Sequence, residues 1–290
     1  MTSMKLMYIV AMVLFGTIGM FLRYIGLPSD LVAMCRGFLG SAFIAVLYLA
    51  KGKRMDRKSL RENGKYLVLS GVMLGINWIF LFAAYKQTSV AVASLCNYMA
   101  PIVIIALAPA LYGDNWSVKR VLCVIGAVIG IILVSNVMSA ENVNTKGIFL
   151  GLGAAAGFVG LVICNRSMKD VPALDRVFVQ LLVSALTILP YTIIVNRGAH
   201  IEVDALSIGF TIMLGIVHTG FAYCLYLIPM ANLPVQSFAL LGYIEPVVSV
   251  ICSAVFLHEP LGIAGVIGAI LVIGSAIAGE MTSIKAEESA

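Results

Sequence analysis

Long apolar runs separated by short polar stretches make up most of this chain. Each run approaches the length of about 20 residues that an α-helix needs to cross the hydrocarbon core of a bilayer. The pattern predicts ten membrane-spanning helices, at residues 6–25, 31–50, 66–85, 89–111, 118–137, 147–165, 177–195, 205–228, 235–257 and 260–279. Little sequence remains between them, so we expect an all-α integral membrane protein without a separate soluble domain.

Two stretches within these runs echo each other about 145 residues apart. Residues 95–101 read LCNYMAP, and residues 240–246 read LLGYIEP. At the same offset Tyr98 aligns with Tyr243, and smaller matches continue on both sides. The chain therefore contains an internal repeat.

Five predicted spans precede the polar stretch at residues 139–146, and five follow it. Because five is odd, the second unit enters the membrane from the side opposite to the first. We therefore predict two inverted five-helix repeats, at residues 1–138 and 147–280, followed by a short cytoplasmic tail at residues 281–290. Inverted repeats are a mark of secondary transporters, whose two halves rock about a site between them.

Composition and charge agree with a membrane protein. Hydrophobic residues make up 61% of the chain and charged residues 11%, which is far from the usage of soluble domains. The formal net charge of +5 reflects where the loop cations lie, and it does not indicate a nucleic-acid partner. If the N-terminus is cytoplasmic, most of the 19 Lys and Arg residues fall in cytoplasmic segments. We therefore expect a multi-pass protein of the cytoplasmic membrane with both termini in the cytoplasm.

Charged side chains inside the apolar spans are rare, and each is a candidate for function. Glu245 lies midway along the ninth predicted span, where the first repeat has Ala100. It could carry a coupling proton, hold an amine of the substrate, or only cap a carbonyl freed by the next residue, a proline. Arg36 in the second span could bind a substrate carboxylate, reach the membrane surface or hold a neighbouring carbonyl. The repeat places Gln180 near the position equivalent to Arg36.

Two prolines occupy equivalent places in the two repeats. Pro101 and Pro246 each remove a backbone donor and strain the preceding turn of a helix. Paired interruptions of this kind are the best indication of a central transport site that a sequence offers. We predict that the helices act as gates at Pro101 and Pro246. The alternative is that both prolines only kink packed helices.

Further polar and aromatic side chains lie within the same spans. The predicted substrate contacts among them are Asn77, Trp78, Asn97, Tyr98, Tyr223 and Tyr243. A Tyr or Trp in the middle of a span usually needs a partner for its polar edge. Together with Glu245 they predict an aromatic-lined cavity for an amphipathic solute, particularly a cationic amine. For any single ring, packing in the core is the alternative, and His218 is expected to be a satisfied buried imidazole.

No catalytic or cofactor motif is found in the sequence. The six cysteines form no CxxC or Cys/His spacing, and the G-x-S-x-G, H-E-x-x-H and Walker A patterns are absent. We therefore expect no enzyme activity, metal, cofactor or ATP-driven pumping. A channel or a structural membrane subunit is the main alternative to a carrier, although no filter-like loop or ring of charges is visible. An integral-membrane enzyme is a weaker alternative.

Three segments near the end of the second repeat form a recognisable pattern, at residues 243–248 (YIEPVV), 256–261 (FLHEPL) and 268–274 (GAILVIG). They resemble the EamA-type branch of the drug/metabolite transporter superfamily, and the resemblance covers nearly the whole chain. The first repeat carries a weaker copy, with Asp114 where the family typically has Glu. The resemblance implies an inner-membrane secondary carrier with a central cavity between the two halves.

The resemblance does not fix the solute, because fold does not imply function. Members of the superfamily export amino acids and other metabolites, or move sugars, nucleotide sugars, phosphorylated metabolites and choline-like amines. We predict a secondary transporter of a small organic metabolite, such as an amino acid or an amine, that exports its solute by alternating access. Protons are a possible coupling ion. A monomer is expected, because one chain supplies both repeats.

Overall fold

The computed structural model of the chain describes residues 2–52, 54–88, 90–104, 107, 118–134, 144–198, 200–256 and 263–288. All regular secondary structure in these ranges is helical. The helices are α1 (Thr2–Leu22), α2 (Ser29–Ala50), α3 (Arg57–Tyr85), α4 (Val90–Asn97), α5 (Val118–Val134), α6 (Thr145–Ser167), α7 (Ala173–Val195), α8 (205–232), α9 (Val235–Gly242), α10 (Ile244–Phe256) and α11 (Ile263–Glu288).

Seven helices of the described ranges are long and apolar enough to cross a membrane. They are α1, α2, α3, α6, α7, α8 and the consecutive pair α9–α10, whereas α5 and α11 contain shorter apolar stretches at Val121–Leu133 and Ile263–Ser275. The protein is therefore an all-helical, multi-pass membrane protein in the part that the structure describes. The fourth predicted span and the predicted repeat boundary at 139–146 lie partly outside the described ranges. Asp114 lies wholly outside them. Residues predicted as a tail continue α11 as far as Glu288.

Local sequence explains where several helices begin. The side chains of Asp56, Asn144 and Asp204 accept hydrogen bonds from backbone N–H groups at the starts of α3, α6 and α8, as N-cap residues do. The hydrogen bonds that Ser207 donates hold the pKa of Asp204 below its usual range. Prolines precede α2, α7 and α9, where a missing N–H costs little.

Small residues allow the central helices to approach closely. A Cβ atom added to Gly71 or Gly75 of α3 would lie 2.6 or 2.7 Å from the Cβ atom of Val183 or Thr187 in α7. On the other side of α3, a Cβ atom at Gly157 of α6 would lie 3.0 Å from a backbone nitrogen. Close approach of this kind replaces the hydrophobic effect as the main source of helix association in lipid. Helices α2, α3, α6 and α7 therefore form one tightly packed group.

Two helices are interrupted at equivalent places. Helix α4 ends at Asn97 and the chain resumes a helical course at residues 100–104, while α9 ends at Gly242 and α10 begins at Ile244. The hydroxyl group of Tyr243 donates a hydrogen bond of 3.4 Å to the carbonyl oxygen of Tyr98, so the two interruptions lie side by side.

The prolines fit these interruptions. Pro101 and Pro246 each stand three residues after the interrupting tyrosine, in the first turn of the helical segment that follows. The first N–H groups of a helix have no partner within the helix, so a proline there removes no hydrogen bond. The break therefore comes before the proline in each case.

Candidate functional site

A cavity of about 690 Å³ lies between the helices. Helices α1, α2, α3, α4, α6, α8, α9 and α10 all contribute to its lining. The predicted residues that line it are Arg36, Asn77, Trp78, Asn97, Tyr98, Pro101, Tyr223, Tyr243 and Glu245. Sequence positions that lie far apart in the chain are thus brought together around one space.

The guanidinium of Arg36 is buried and held on two sides. Its Nε atom donates a hydrogen bond of 3.0 Å to Oγ1 of Thr219 in α8. Its Cζ atom lies 5.5 Å from the ring centroid of Trp78 in α3, a distance suited to a cation–π contact. The side chain therefore points into the protein and not toward the membrane surface.

Glu245 lies in the first turn of α10 and faces the cavity. Among the described residues its carboxyl group makes no hydrogen bond and no ion pair, so the predicted capping of a freed carbonyl is not observed there. Its charge and that of Arg36 lie within electrostatic reach of each other without an ion pair between them. A negative group at the start of a helix is also favoured by the helix dipole.

Asn77 connects the wall of the cavity to the first interrupted helix. Its Nδ2 atom donates to Oδ1 of Asn97 at 2.9 Å and to the carbonyl oxygen of Ala154 at 2.8 Å. One side-chain amide thus joins α3, the end of α4 and α6. Asn77 therefore holds the interruption at Asn97 in place, and Asn97 lines the cavity beside it.

Aromatic rings form much of the cavity wall. Phe15 packs against Tyr223 at 5.3 Å between centroids, and Trp78 meets Tyr223 edge-on at 6.2 Å. Further along, Tyr8 packs against Phe238 at 4.7 Å. Tyr8, Phe15 and Phe238 are not among the predicted substrate contacts. Tyr8 lies near the start of the first predicted span, where a tyrosine is typical of the membrane interface, and the phenylalanines have no polar edge to mark them.

Two predicted residues lie away from the cavity. Gln180 does not line it, because its Nε2 atom donates to Oγ of Ser70 at 2.6 Å and to Oδ1 of Asn165 at 2.9 Å, between α3, α6 and α7. Pro246 is buried beside Glu245 without lining the cavity. His218 is buried too, with Nε2 at 2.9 Å from Oγ1 of Thr17.

The two ends of the cavity differ. At one end the exposed Arg23 and the neighbouring Ser29, in and next to the α1–α2 loop, line it. At the other end Tyr8 and Phe238 are fully buried. Beyond them, Nη2 of Arg166 at the end of α6 donates a 2.7 Å hydrogen bond to the carbonyl oxygen of Leu233, in the loop between α8 and α9.

Comparisons with known proteins agree with these features. The family model described as the EamA-like transporter family matches residues 2–136 and again residues 145–278. A similar protein is the uncharacterized transporter YxxF of Bacillus subtilis strain 168, 24% identical over 264 residues that cover 88% of this chain and 84% of YxxF. An uncharacterized transporter of Archaeoglobus fulgidus is 25% identical over 271 residues, or 93% of each chain. Protein RarD of Salmonella typhi is 25% identical over 240 residues, or 81% of this chain and 79% of RarD.

A solved crystal structure has the same fold, with a TM-score of 0.83 at 21% identity over 97% of this chain and 98% of the other. Among the described residues, no group of three or more His, Cys, Asp or Glu side chains is placed to hold a metal ion.

The family match covers nearly the whole sequence and confirms the resemblance drawn from its motifs. The chain therefore belongs to the EamA-like transporter family of the drug/metabolite transporter superfamily.

Proposed function

We propose that this protein is a secondary carrier that moves a small organic solute through the central cavity by alternating access. The observation that carries the proposal is the cavity itself, which contains Arg36 and Glu245 without an ion pair between them. A volume of about 690 Å³ falls within the range of pockets that enclose small organic ligands. Two opposite charges that do not neutralise each other are available to a solute.

The moving parts in this proposal are two inverted five-helix repeats of a ten-helix bundle, at residues 1–138 and 147–280. The double family match and the equivalent interruptions at Tyr98 and Tyr243 support this division. Pro101 and Pro246 serve as gates, because each lies in the first turn of a helical segment that can tilt about the preceding break. Interrupted helices in corresponding positions are typical of transport sites at the centre of the membrane.

The proposed conformation is open toward the outside of the cell. The charge distribution of the loops supports cytoplasmic termini in the cytoplasmic membrane, which puts the α1–α2 loop outside. The cavity reaches that loop, while Tyr8 and Phe238 close the other end. An opening at one end and a closure at the other is what a carrier has in each of its two states.

Glu245 is the proposed proton-coupling residue, and the proposed solute is an amino acid, an amine or a related metabolite. The position of Glu245 on the cavity wall, without a hydrogen-bond partner among the described residues, supports both roles. Export is the proposed direction, on the strength of the family members that export amino acids and other metabolites. The protein is proposed to act as a monomer, because one chain supplies both proposed repeats.

Two-sided accessibility tests the mechanism without knowledge of the solute. The six cysteines are replaced by alanine, and Ser94→Cys is added on the cavity wall. A membrane-impermeant maleimide is applied to right-side-out and to inverted vesicles. We expect labelling from both sides, with reciprocal rates once each rate is divided by that of a small free thiol at the same pH: a change of pH that speeds labelling from one side then slows labelling from the other.

Ser70→Cys in the same background is the matched control, because Ser70 is fully buried beside Gln180 and away from the cavity. It should stay unlabelled from either side. Labelling of Ser94→Cys from one side under all conditions would refute alternating access. Rates on the two sides that vary independently would instead identify a channel.

A further inference from the structure

The eighth helix contains an unusual turn beside Arg36. Residues Ile216–Phe221 form a π-helical segment between the α-helical segments Ala205–Gly215 and Ala222–Asn232. Such turns are rare within α-helices and occur frequently at functional sites. Within this turn the hydroxyl group of Thr219 donates a hydrogen bond of 2.9 Å to the carbonyl oxygen of Leu214, five residues earlier.

The hydrogen bond to Leu214 makes Thr219 a hydrogen-bond acceptor toward Arg36. A threonine hydroxyl has one proton, and here Leu214 receives it, so the lone pairs of Oγ1 remain for a donor. Nε of Arg36 is that donor, at 3.0 Å. Because Thr219 is fully buried, water does not compete for this contact. The π turn thus places one fixed acceptor against one edge of the guanidinium.

The opposite edge of the guanidinium remains available. Trp78 covers a face of the group, and Thr219 occupies its Nε edge. Among the described residues, Arg36 forms no hydrogen bond through its two terminal nitrogens. A buried guanidinium with one satisfied N–H out of five is costly for the protein, unless something else accepts from the others.

From these contacts we infer, on the basis of the proposed carrier function, that Arg36 binds the carboxylate of a zwitterionic solute and that Thr219 is the positioning residue that orients it. The terminal nitrogens of arginine form a planar fork that matches a carboxylate with two parallel hydrogen bonds. Glu245 receives the ammonium group of the same solute.

The charges that line the cavity favour a zwitterionic solute over an anion or a simple amine. Deep in the cavity the described lining carries one cation, Arg36, and one anion, Glu245, while Arg23 lies at the mouth. A solute with one negative and one positive group pairs with both and brings no net charge into the membrane interior. A dianionic phosphate would leave one negative charge unpaired beside Glu245, which is unfavourable in a low-dielectric site. A simple amine would leave Arg36 unpaired.

Three ligands of the same ring size test this inference on the purified full-length protein. The probes are phenylalanine, phenethylamine, which lacks the carboxylate, and 3-phenylpropanoate, which lacks the ammonium group. We expect phenylalanine to bind at least about tenfold more tightly than either of the others, because a charge-assisted hydrogen-bonded pair is lost in each. Calorimetric dissociation constants give the comparison.

Thr219→Val and Thr219→Ser then separate positioning from packing. Valine keeps the shape of threonine but removes the acceptor, and serine keeps the acceptor. We expect Thr219→Val to weaken the binding of phenylalanine and 3-phenylpropanoate by about tenfold and to leave the binding of phenethylamine unchanged. Thr219→Ser should retain the affinities of the original protein. If Thr219 has only a structural role, Thr219→Val weakens the binding of all three ligands alike.

Several results would overturn the inference. They are equal affinity for phenylalanine and phenethylamine, equal weakening of the binding of all three ligands by Thr219→Val, or no binding of any of the three probes. None of these bears on the carrier function, which the two-sided labelling of Ser94→Cys decides separately.

Discussion

The two interrupted helices share a backbone plan but carry different chemistry. Each breaks at a tyrosine that stands three residues before a proline, and the two tyrosines touch. One residue before the proline, the first half has Ala100 and the second half has Glu245, and both residues line the cavity. The repeat therefore supplies the same bend twice, and only the second copy carries a charge.

The surroundings of the two breaks explain how that difference is tolerated. On the first side, Asn77 fixes the break with hydrogen bonds to Asn97 and to α6. On the second side, α1 packs against the backbone of Glu245 through Gly16. A polar side chain holds the first break in addition to the close packing of α4 on Gly151 of α6, whereas close contact of two backbones holds the second break. The carboxyl group of Glu245 is thereby left free of a structural task among the described residues.

The largest expected effect comes from removal of the charge that distinguishes the second break. We expect Glu245→Gln to abolish solute flux driven by a pH gradient in proteoliposomes, because glutamine takes up no proton. Glu202→Gln, at an exposed position outside the bundle, is the control and should leave flux unchanged. Flux equal to that of the original protein at all pH values would show that Glu245 does not couple protons.

A second prediction breaks the backbone contact behind Glu245. A Cβ atom at Gly16 would lie 2.7 Å from the carbonyl oxygen of Glu245 and 2.7 Å from the Cβ atom of Val248. We expect Gly16→Val to lower the free energy of unfolding by about 3 kcal/mol, since α1 must move away. Unfolding in mixed detergent micelles measures this value.

Gly209→Val is the matched control for that experiment. Gly209 lies in α8 with no atom within 4 Å of an added Cβ atom. The same substitution there carries the same helix propensity cost without the contact. Equal destabilisation by the two variants would show that the packing of α1 on Glu245 contributes little.

A third prediction concerns the polar support of the first break. We expect Asn77→Leu to lower the free energy of unfolding by about 1.5 kcal/mol, because it removes two hydrogen bonds and leaves Oδ1 of Asn97 without its donor. Asn232→Leu removes a single local hydrogen bond at an exposed site and should cost less than about 0.5 kcal/mol. A reversed order would show that Asn77 does not hold the break.

Much of this arrangement follows from sequence patterns. Apolar run length predicts the helices, and the repeat predicts that Tyr98 and Tyr243 occupy equivalent sites. Polar and aromatic residues within the predicted spans predict part of the cavity wall, including Arg36 and Trp78. These inferences succeed because lipid allows few solutions: a polar group inside the membrane must face protein or water.

The rest depends on helix rotation, which no single-sequence pattern fixes. The repeat places Gln180 near the position equivalent to Arg36, yet its side chain lies in a hydrogen-bonded cluster with Ser70 and Asn165. The π turn around Thr219 has no sequence signature, and it lies where α8 packs against α2. Phe15 and Phe238 carry no polar edge, so a ring on the cavity wall and a ring in the core look identical in sequence.

The smallest effect distinguishes the two interrupting tyrosines from each other. The hydroxyl group of Tyr243 donates to the carbonyl oxygen of Tyr98 at 3.4 Å, a long hydrogen bond. We expect Tyr243→Phe to lower the free energy of unfolding by about 0.5 kcal/mol. Tyr98→Phe should leave it unchanged, because the hydroxyl group of Tyr98 has no hydrogen-bond partner among the described residues. If both variants lower the free energy of unfolding equally, the hydrogen bond between Tyr243 and Tyr98 does not hold the two breaks together. If only Tyr243→Phe costs stability, one tyrosine joins the halves, and the other keeps its hydroxyl group for the cavity.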